Sequence, residues 1–263
     1  MAAAGTDERA MSMKRTFERE GYRVVGLDGA KEAHAVVLPM PYTSDEKHIK
    51  DTDITLDGLF SSLGARYPVL GGRFDWNAYG TAMRYGVRLF DYYENESAQI
   101  KNAYLTSLAA LSFALERGEE LLGKRVLVCG YGRIGKILCR LLGCAGAHVC
   151  VAARKEEDLS WIKVNGFEEI RYSRLKEHAH GIRLIFNTVP SKILDYGTLC
   201  AFEKNATLIE LASKACCDEE EASVAGVSVL RAASLPGKYY PEAAGKILAY
   251  SAVEIIKREG LIT

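Results

Sequence analysis

The sequence lacks the long apolar segments that membrane insertion and secretion require. No apolar run approaches the roughly 20 residues of a membrane span, and residues 1–21 lack the apolar core of a signal peptide. An excess of charge is also absent, since 34 basic residues balance 34 acidic ones. This balance argues against nucleic acid or an anionic membrane as a partner. We therefore expect a cytoplasmic protein whose 263 residues form one large domain or two modest ones.

Metal, disulfide and nucleophile motifs are missing as well. The seven cysteines contain no C-x-x-C pair, so neither a zinc site nor a disulfide framework is indicated. The five histidines show no ligand spacing, and we expect no metal. Hydrolase and kinase chemistry lack their signatures, because no G-x-S-x-G or P-loop pattern occurs.

Helical and strand patterns alternate twice along the chain, as they do in α/β folds with parallel sheets. We expect two Rossmann-like doubly wound lobes joined by a long connecting helix. The predicted segments are an N-terminal, substrate-side α/β lobe over 1–95, the connecting helix over 96–122, an NAD(P)-binding Rossmann domain over 123–240, and a C-terminal helix over 241–263 that packs back on the first lobe.

The first lobe opens with a short strand pattern and a helix pattern. The opening strand would be "MAAAG" (1–5), which is short and has small side chains for a central strand. A start of the chain further upstream is therefore left open. An amphipathic helix is predicted over Asp7–Glu20, ended by Gly21. Strands are predicted at "YRVVGL" (22–27) and "HAVVLP" (34–39).

The stretch "VLVCGYGRIG" (126–135) carries the clearest motif. Gly130, Gly132 and Gly135 form G-x-G-x-x-G after a predicted strand and at the start of a predicted helix. Gly130 permits the tight turn, Gly132 lets backbone approach a pyrophosphate, and Gly135 permits close helix packing. The alternative is that the glycines only close a strand-to-helix turn. The other predicted cofactor contacts of this loop are Tyr131, Arg133 and Ile134.

The next strand ends without the acidic residue that hydrogen-bonds the ribose of NAD. Ala153 is followed instead by Arg154 and Lys155. These cations suit a 2′-phosphate, the arginine as a bidentate fork and the lysine as a point charge. NADP is therefore the predicted cofactor and NAD the alternative. The alternative is that both cations are solvated at the start of a helix, where the three acidic residues that follow balance their charge.

The loop "NTVP" (187–190) follows a strand of buried character and would end at the ligand-binding edge of the sheet. Asn187 and Thr188 are expected to face the nicotinamide ribose, with Val189 and Pro190 in the same loop. A turn stabilised by these residues is equally compatible with the pattern.

The stretch "LPGKYYPEAAG" (235–245) is predicted to be a rigid loop that enters the last helix. Lys238 in this loop would bind a substrate carboxylate, and Tyr239 would donate or accept a proton. The alternative is an exposed loop whose prolines only cap a helix.

Further charged residues are candidates for substrate binding. Arg9 and Arg73 lie near predicted turns and would clamp carboxylates bidentately across an interlobe cleft. The stretch "ELASK" closes a strand, and its Ser213 or Lys214 would reach substrate, while Glu210 in the same stretch is expected to be a buried carboxylate with a partner. The alternative, which is more common for such arginines, is that they form ion pairs on the protein surface.

These segments together resemble the family formed by the A subunits of dipicolinate synthase. The block "LPGKYYPEAAGKIL" is the most specific of them, because glycine loops occur in many families. The resemblance implies a two-lobe fold arranged similarly to the 2-hydroxyacid and alanine dehydrogenases. The matching segments are "GTDER", "YRVVGLDG", "NAYLT", "VLVCGYGRIGKILCRLLGCAGAHVCVAAR", "FNTVPSKIL", "IELASK" and "LPGKYYPEAAGKIL".

The resemblance also implies a reaction and a partner. The reaction is oxidation of a dihydrodipicolinate, derived from the hydroxytetrahydrodipicolinate of the lysine pathway, to dipicolinate with NADP reduced. Arg9, Arg73 and Lys238 would hold the small dicarboxylate, and Lys238, Tyr239 or a bound water would remove a proton. The implied partner is a flavoprotein-like B subunit in the mother-cell cytoplasm of a sporulating bacterium. A homo-oligomer is left open.

The chain departs from the family pattern at the entry to the connecting helix. The family usually has P-T-x-E-G there, and this sequence has "LTSLA" (105–109). Thr106 keeps the threonine and is assigned to substrate binding by the resemblance, whereas Leu108 replaces the glutamate. This replacement motivates the alternative of a non-catalytic, regulatory dinucleotide-binding subunit. A different dehydrogenase, of the hydroxyacid or shikimate type, is a further alternative.

Overall fold

A computed structural model describes residues 1–262. Within them the strands are β1 (Ala2–Ala3), β2 (Val36–Val37), β3 (Val69–Gly71), β4 (Leu89–Asp91), β5 (Arg125–Cys129), β6 (His148–Ala153), β7 (Glu168–Arg171), β8 (Ile182–Asn187), β9 (Ala206–Glu210) and β10 (Val227–Arg231). The helices are α1 (Glu8–Arg19), α2 (Leu56–Leu63), α3 (Trp76–Tyr85), α4 (Glu96–Leu115), α5 (Arg133–Cys144), α6 (Glu156–Val164), α7 (Leu175–His178), α8 (Tyr196–Leu199), α9 (Glu219–Val224), α10 (Leu235–Tyr239) and α11 (Pro241–Arg258).

The chain divides into two compact units, each with its own parallel sheet. The first unit consists of Met1–Asn102 and the chain from Gly237 onward, and the second unit is Ala103–Pro236. The division falls inside α4, so this helix contributes to both units. No helix of residues 1–262 is both long and apolar enough to span a membrane.

The first unit contains a four-stranded sheet in the order β1-β2-β3-β4. The short opening strand is present in this sheet and is buried. β1 pairs with β2 on one side, and Ala2 bridges Val25 on the other. The pairing on both sides explains how a two-residue strand with small side chains stays in place, because its backbone groups find partners in both directions.

The prediction of a strand over residues 22–27 is wrong. Only Val25 forms a bridge, and residues 27–32 form a 3₁₀ helix whose N-cap is Gly26. The apolar side chains in this segment alternate between two clusters: Tyr22 and Val24 pack into one core, Val25 and Leu27 into the other. The alternation that suggests a strand therefore reflects an extended segment that separates two cores.

The connecting helix ends at Leu115 rather than at Leu122. Gly118 adopts a left-handed conformation with φ of 77°. Its N–H donates to the carbonyl of Leu115, and the N–H of Glu119 donates to the carbonyl of Ala114. These two bonds are the glycine-dependent Schellman ending of an α-helix.

Helices α1 and α11 cross closely in the first unit. A Cβ at Gly245 of α11 would lie 2.6 Å from Cβ of Ser12 in α1, and the Ser12 hydroxyl donates to the Glu242 carbonyl at 2.8 Å. Glycine is therefore required for this approach. The contact fixes the helix that carries Arg9.

The segment predicted as a rigid loop at residues 235–245 is in fact helical. Leu235–Tyr239 form α10, and after Tyr240 the chain continues directly into α11. Pro236 lies in the first turn of α10 and Pro241 at the start of α11, where proline is compatible with a helix because those N–H groups have no intrahelical acceptor. The two prolines therefore lie in the first turns of helices here and do not define an irregular loop.

The second unit contains a six-stranded parallel sheet in the order β10-β9-β8-β5-β6-β7. The chain order reverses between β5 and β8, and in open α/β sheets ligands bind beside the carboxyl ends of the strands at such a point. Cys129 at the end of β5 is in register with Asn187 of β8 and Ala152 of β6. The loops that follow these three strands therefore emerge side by side.

Candidate active site

The glycine loop follows β5 at the reversal point. Gly130 has φ of 98°, and a Cβ there would lie 2.5 Å from the Thr188 hydroxyl oxygen. A Cβ at Gly135 would overlap the Gly130 carbonyl oxygen. Both positions therefore exclude side chains for steric reasons, and α5 lies directly against the loop.

Gly132 is in a different situation. Apart from Gly132 itself and its two chain neighbours, no described residue has an atom within 4 Å of the place that its Cβ would occupy, so the space beside its backbone is open. Gly132 is also the N-cap of the 12-residue helix α5, and no side chain caps that end. The first N–H groups of α5 thus face an open space with the positive end of the helix dipole, and this geometry fits a bound pyrophosphate.

The other residues of the loop have distinct environments. Tyr131 is buried, and burial raises the pKa of its phenol, so its side chain belongs to the interior. Arg133 is exposed at the first position of α5. The carbonyl of Ile134 accepts a hydrogen bond from the buried Ser107 hydroxyl at 3.2 Å. Of the three, Arg133 presents its side chain to solvent beside Gly132.

Arg154 and Lys155 follow β6 as exposed residues. Lys155 is the N-cap of α6 and makes no side-chain capping bond. Glu156, the first of the three acidic residues that would balance these cations, forms an ion pair with Arg171 instead. No ion pair joins Arg154 or Lys155 to any carboxylate in the described part of the chain. Two uncompensated cations therefore lie at the carboxyl end of the strand next to β5.

Asn187 differs from its expected role, because its side chain does not face an open site. It is fully buried, and its amide nitrogen donates to Glu210 at 2.6 Å and to the Val189 carbonyl at 2.9 Å. Its amide oxygen accepts the Val189 N–H at 3.0 Å. Asn187 thus shapes the loop that follows β8.

Glu210 is the buried carboxylate that the sequence predicted, and its partners are now defined. One oxygen accepts from the Asn187 amide and from the Ala212 N–H at 3.0 Å, and the other accepts from the Cys216 N–H at 2.9 Å. It therefore ties the loop after β8 to the loop after β9. A lone acid that ends the apolar strand "ATLIE" was the sequence signal for this role.

Thr188 attaches the same loop to the central strand. Its hydroxyl and its N–H both donate to the Cys129 carbonyl, at 2.8 and 3.0 Å. Val189 is half-buried, and Pro190 is exposed. Backbone and side chain of Thr188 thus set the edge of the space beside Gly130.

Arg9 of α1 is the most unusual cation of the first unit, because it is buried. Its guanidinium donates to the Met40 carbonyl. The Asp7 carboxylate, which it influences at longer range, is bound by Lys50 at 2.6 Å. No ion pair to Arg9 is formed within residues 1–262. The position of a Cβ at Gly237 lies 3.4 Å from Nη1 of Arg9, so Arg9 adjoins Gly237 of α10.

Arg73 lies in the loop after β3 and is exposed, with φ of 63°. This conformation is uncommon for a residue with a side chain, and such strain is concentrated at functional sites. Side chains at the neighbouring Gly72 are excluded by Met40 and Tyr92, whose atoms lie 2.8 and 2.7 Å from its Cβ position. Because Arg9 contacts the Met40 carbonyl, both arginines belong to the carboxyl edge of the first sheet.

The remaining predicted residues lie on three other segments. Lys238 is exposed and Tyr239 half-buried on α10. The ring centroids of Tyr239 and Tyr240 are 6.5 Å apart. Lys214 is exposed after β9. Thr106 is buried on α4, where Leu108 is half-buried. The first unit therefore groups Arg9 with the part of α10 from Gly237 onward, and the second unit groups the loops after β5, β6, β8 and β9.

The strand order and the glycine loop at the reversal point define a dinucleotide-binding domain of the dehydrogenase type. Residues 89–225 match the family described as "D-isomer specific 2-hydroxyacid dehydrogenase, NAD binding domain", and the chain belongs to this family. Among individual proteins, it is similar to the A subunit of dipicolinate synthase from Bacillus subtilis (strain 168). The identity is 33% over 175 residues, which cover 66% of this chain and 58% of that protein.

Solved structures agree with this similarity at the level of the fold. The A subunit of dipicolinate synthase from Bacillus halodurans superimposes with a TM-score of 0.88 at 21% identity, over 97% of this chain and 96% of that one. An L-alanine dehydrogenase superimposes with a TM-score of 0.64 at 16% identity, over 93% and 77% of the two chains. The expected α/β fold class and the resemblance to the A subunit of dipicolinate synthase are confirmed.

Proposed function

We propose that this chain is an NADP-preferring oxidoreductase that oxidises a dihydrodipicolinate to dipicolinate. An oxidoreductase with a nicotinamide dinucleotide follows from the family. The finer assignment has one principal support: the strand after the glycine loop ends in two cations in place of an acid, and the described residues leave both uncompensated.

The cofactor preference depends on what lies beside the adenosine ribose. In this architecture the residue after the second strand contacts the 2′ position of that ribose. Arg154 has no carboxylate partner among residues 1–262, so a 2′-phosphate would supply the missing counter-charge. A hydrogen bond to a charged group contributes about 1.5–3 kcal/mol. NADP would therefore bind roughly 10- to 150-fold more tightly with Arg154 than without it.

The substrate assignment is supported by Arg9. A buried cation without a carboxylate partner is costly, and a ligand carboxylate would compensate it. Arg73 and Lys238, with Lys214 and Thr106, are the other proposed substrate contacts. A small dicarboxylate has two anionic ends for such cations, and the similar Bacillus subtilis protein is named for the dicarboxylate dipicolinate.

The proposed chemistry balances as a two-electron oxidation. Dihydrodipicolinate would lose one hydride and one proton as its ring becomes aromatic, and a bound nicotinamide would supply the hydride acceptor. Lys238 or Tyr239 on α10, or a bound water, would take the proton. As part of this proposal, the chain works in the mother-cell cytoplasm of a sporulating bacterium with a flavoprotein-like second subunit.

The decisive experiment is calorimetric titration with NADP and with NAD for the wild type and Arg154→Ala. We expect Arg154→Ala to weaken NADP roughly 10- to 150-fold and to leave NAD nearly unchanged. Arg183→Ala is the matched control, because Arg183 is an exposed arginine near the amino end of β8. Equal binding of both dinucleotides by all three proteins would refute the NADP preference.

Leu108 favours a second candidate, a dinucleotide-binding protein without its own turnover. This role predicts NADP binding together with no dipicolinate formation, even in the presence of the flavoprotein-like partner. Leu108 is half-buried on α4 and adjoins Ser107, whose hydroxyl bonds to the loop residue Ile134. Leu108→Glu should raise dipicolinate formation, measured as NADPH absorbance, if the carboxylate is the missing group. Turnover in the unmodified chain would exclude the second candidate.

A further inference from the structure

Four titratable side chains meet at the amino-terminal edge of the second sheet. His148 Nε2 lies 3.0 Å from Glu168 Oε2, and Cys150 Sγ lies 3.3 Å from the same oxygen. His178 Nδ1 lies 3.2 Å from the other carboxylate oxygen. Ligand atoms of His148, Cys150 and Glu168 all lie within 4.8 Å of one another. This edge is opposite to the carboxyl edge that carries the glycine loop.

The cluster is created by strand pairing. His148 and Cys150 are two positions apart on β6, so their side chains project from the same face. Cys150 is directly in register with Glu168 of β7. Since a parallel pair keeps paired residues on one face, the register itself brings nitrogen, sulfur and oxygen ligands together.

We propose that His148, Cys150 and Glu168 bind a divalent transition-metal ion of the zinc class. An imidazole, a thiolate and one carboxylate oxygen are a mixed donor set that favours zinc over calcium or magnesium, which require mostly oxygen ligands. Binding would release the thiol proton of Cys150 to solvent, and the resulting thiolate and the Glu168 carboxylate would neutralise the two charges of the ion.

Two of the three ligand separations are close to those of a tetrahedral site, and the third, between the His148 and Cys150 ligand atoms, is no more than 4.8 Å. Zinc–ligand bonds of about 2.0–2.3 Å separate neighbouring nitrogen and oxygen ligands by about 3.4 Å, and sulfur and oxygen ligands by about 3.6 Å. The corresponding separations here are 3.0 and 3.3 Å. An outward shift of a few tenths of an ångström would therefore admit the ion. The His148 side chain is 59% exposed and can make this movement without repacking the core.

Arg125 gives the carboxylate its orientation. Its guanidinium donates at 2.8 Å to Glu168 Oε1, the oxygen that does not face His148 and Cys150. Metal-binding carboxylates are commonly held by such an outer hydrogen bond. Oε2 is thereby left directed at the other two ligands, and water would take the fourth position.

The test is an absorption titration of metal-free, full-length protein with Co²⁺, followed by displacement with Zn²⁺. We expect one equivalent to bind with a sulfur-to-cobalt charge-transfer band. Cys150→Ser should abolish this band, and His148→Ala should weaken binding by at least about 10-fold, since even outer-shell changes cost this much. His148→Ala is decisive if Cys150→Ser fails to fold, because Cys150 is fully buried and His148 is not.

Two matched controls address adventitious binding. Cys200 is an exposed cysteine, and His180 is an exposed histidine that pairs with Glu203 at 3.5 Å. Cys200→Ser and His180→Ala should bind Co²⁺ as the wild type does. The proposal is overturned if the wild type gives no charge-transfer band, or if His148→Ala binds Co²⁺ as tightly as His180→Ala. In either case the cluster is only an ion-pair network around Glu168.

Discussion

Gly132→Ala should separate cofactor binding from stability. Beyond residue 132 and its two chain neighbours, no described residue has an atom within 4 Å of the added methyl group, and the φ of −80° is accessible to alanine. Restricting the unfolded chain stabilises by about 0.4–1 kcal/mol, whereas alanine is a poorer N-cap than glycine by a similar amount. We therefore expect the free energy of unfolding to change by less than about 0.5 kcal/mol.

Dinucleotide binding should respond very differently to this methyl group. The open space beside Gly132 is where backbone N–H groups of α5 would approach the pyrophosphate. Loss of one such charge-assisted bond costs about 1.5–3 kcal/mol, so NADP affinity should fall roughly 10- to 150-fold. Calorimetry measures the affinity, and thermal unfolding without cofactor measures the stability.

Gly135→Ala is the matched comparison within the same motif. Its methyl group would overlap a backbone oxygen, that of Gly130, which cannot rotate away. Forcing an atom into a packed site costs about 1–3 kcal/mol, or roughly 2–12 °C in melting temperature. If Gly132→Ala bound NADP as well as the wild type did, or if it melted as early as Gly135→Ala, the assignment of the open space would be incorrect.

Two further predictions concern buried and capping carboxylates. Glu210→Gln leaves at least one of three buried donors without an acceptor, so urea unfolding should show a loss of about 1–3 kcal/mol, and no comparable loss in the exposed control Glu120→Gln. Burial raises the pKa of Asp7, but hydrogen bonds from Lys50 and the Ala10 N–H outweigh this effect and lower it. Its contribution should be complete above the unfolded-state pKa of about 3.9 and be lost as the pH falls below it. Asp7→Asn should remove that pH dependence and keep the cap, whereas Asp7→Ala should cost about 1 kcal/mol; identical acid unfolding of wild type and Asp7→Asn would contradict this account.

Local patterns predicted much of the second unit. The glycine spacing, the acid-free end of β6 and the apolar strand that ends at Asn187 are all short-range features, so the sequence shows them directly. The structure adds that Asn187 is turned inward by Glu210, 23 residues later in the chain. A hydrogen bond between side chains on neighbouring strands depends on register, and the sequence of one strand does not reveal it.

In the first unit, by contrast, local patterns led to wrong predictions. An alternating apolar pattern at residues 22–27 predicts a strand, but the segment lies between two cores and forms only one bridge. Pro236, the last residue of the second unit, and Pro241 also predict a loop, but each lies in the first turn of a helix. In both cases the local pattern is compatible with two structures, and packing against distant residues selects one of them.

The sequence by itself therefore determined the α/β class, the glycine loop and the cations that follow β6, because each depends on residues close together in the chain. Tertiary structure decided which charged side chains have no partner of opposite charge. Within residues 1–262, Glu156 pairs with Arg171, Asp7 pairs with Lys50, and Arg9 is buried without a carboxylate. It also decided that His148, Cys150 and Glu168 meet. Ion pairing and ligand clustering depend on distances of a few ångströms between strands and helices, and these distances exist only once the chain is folded.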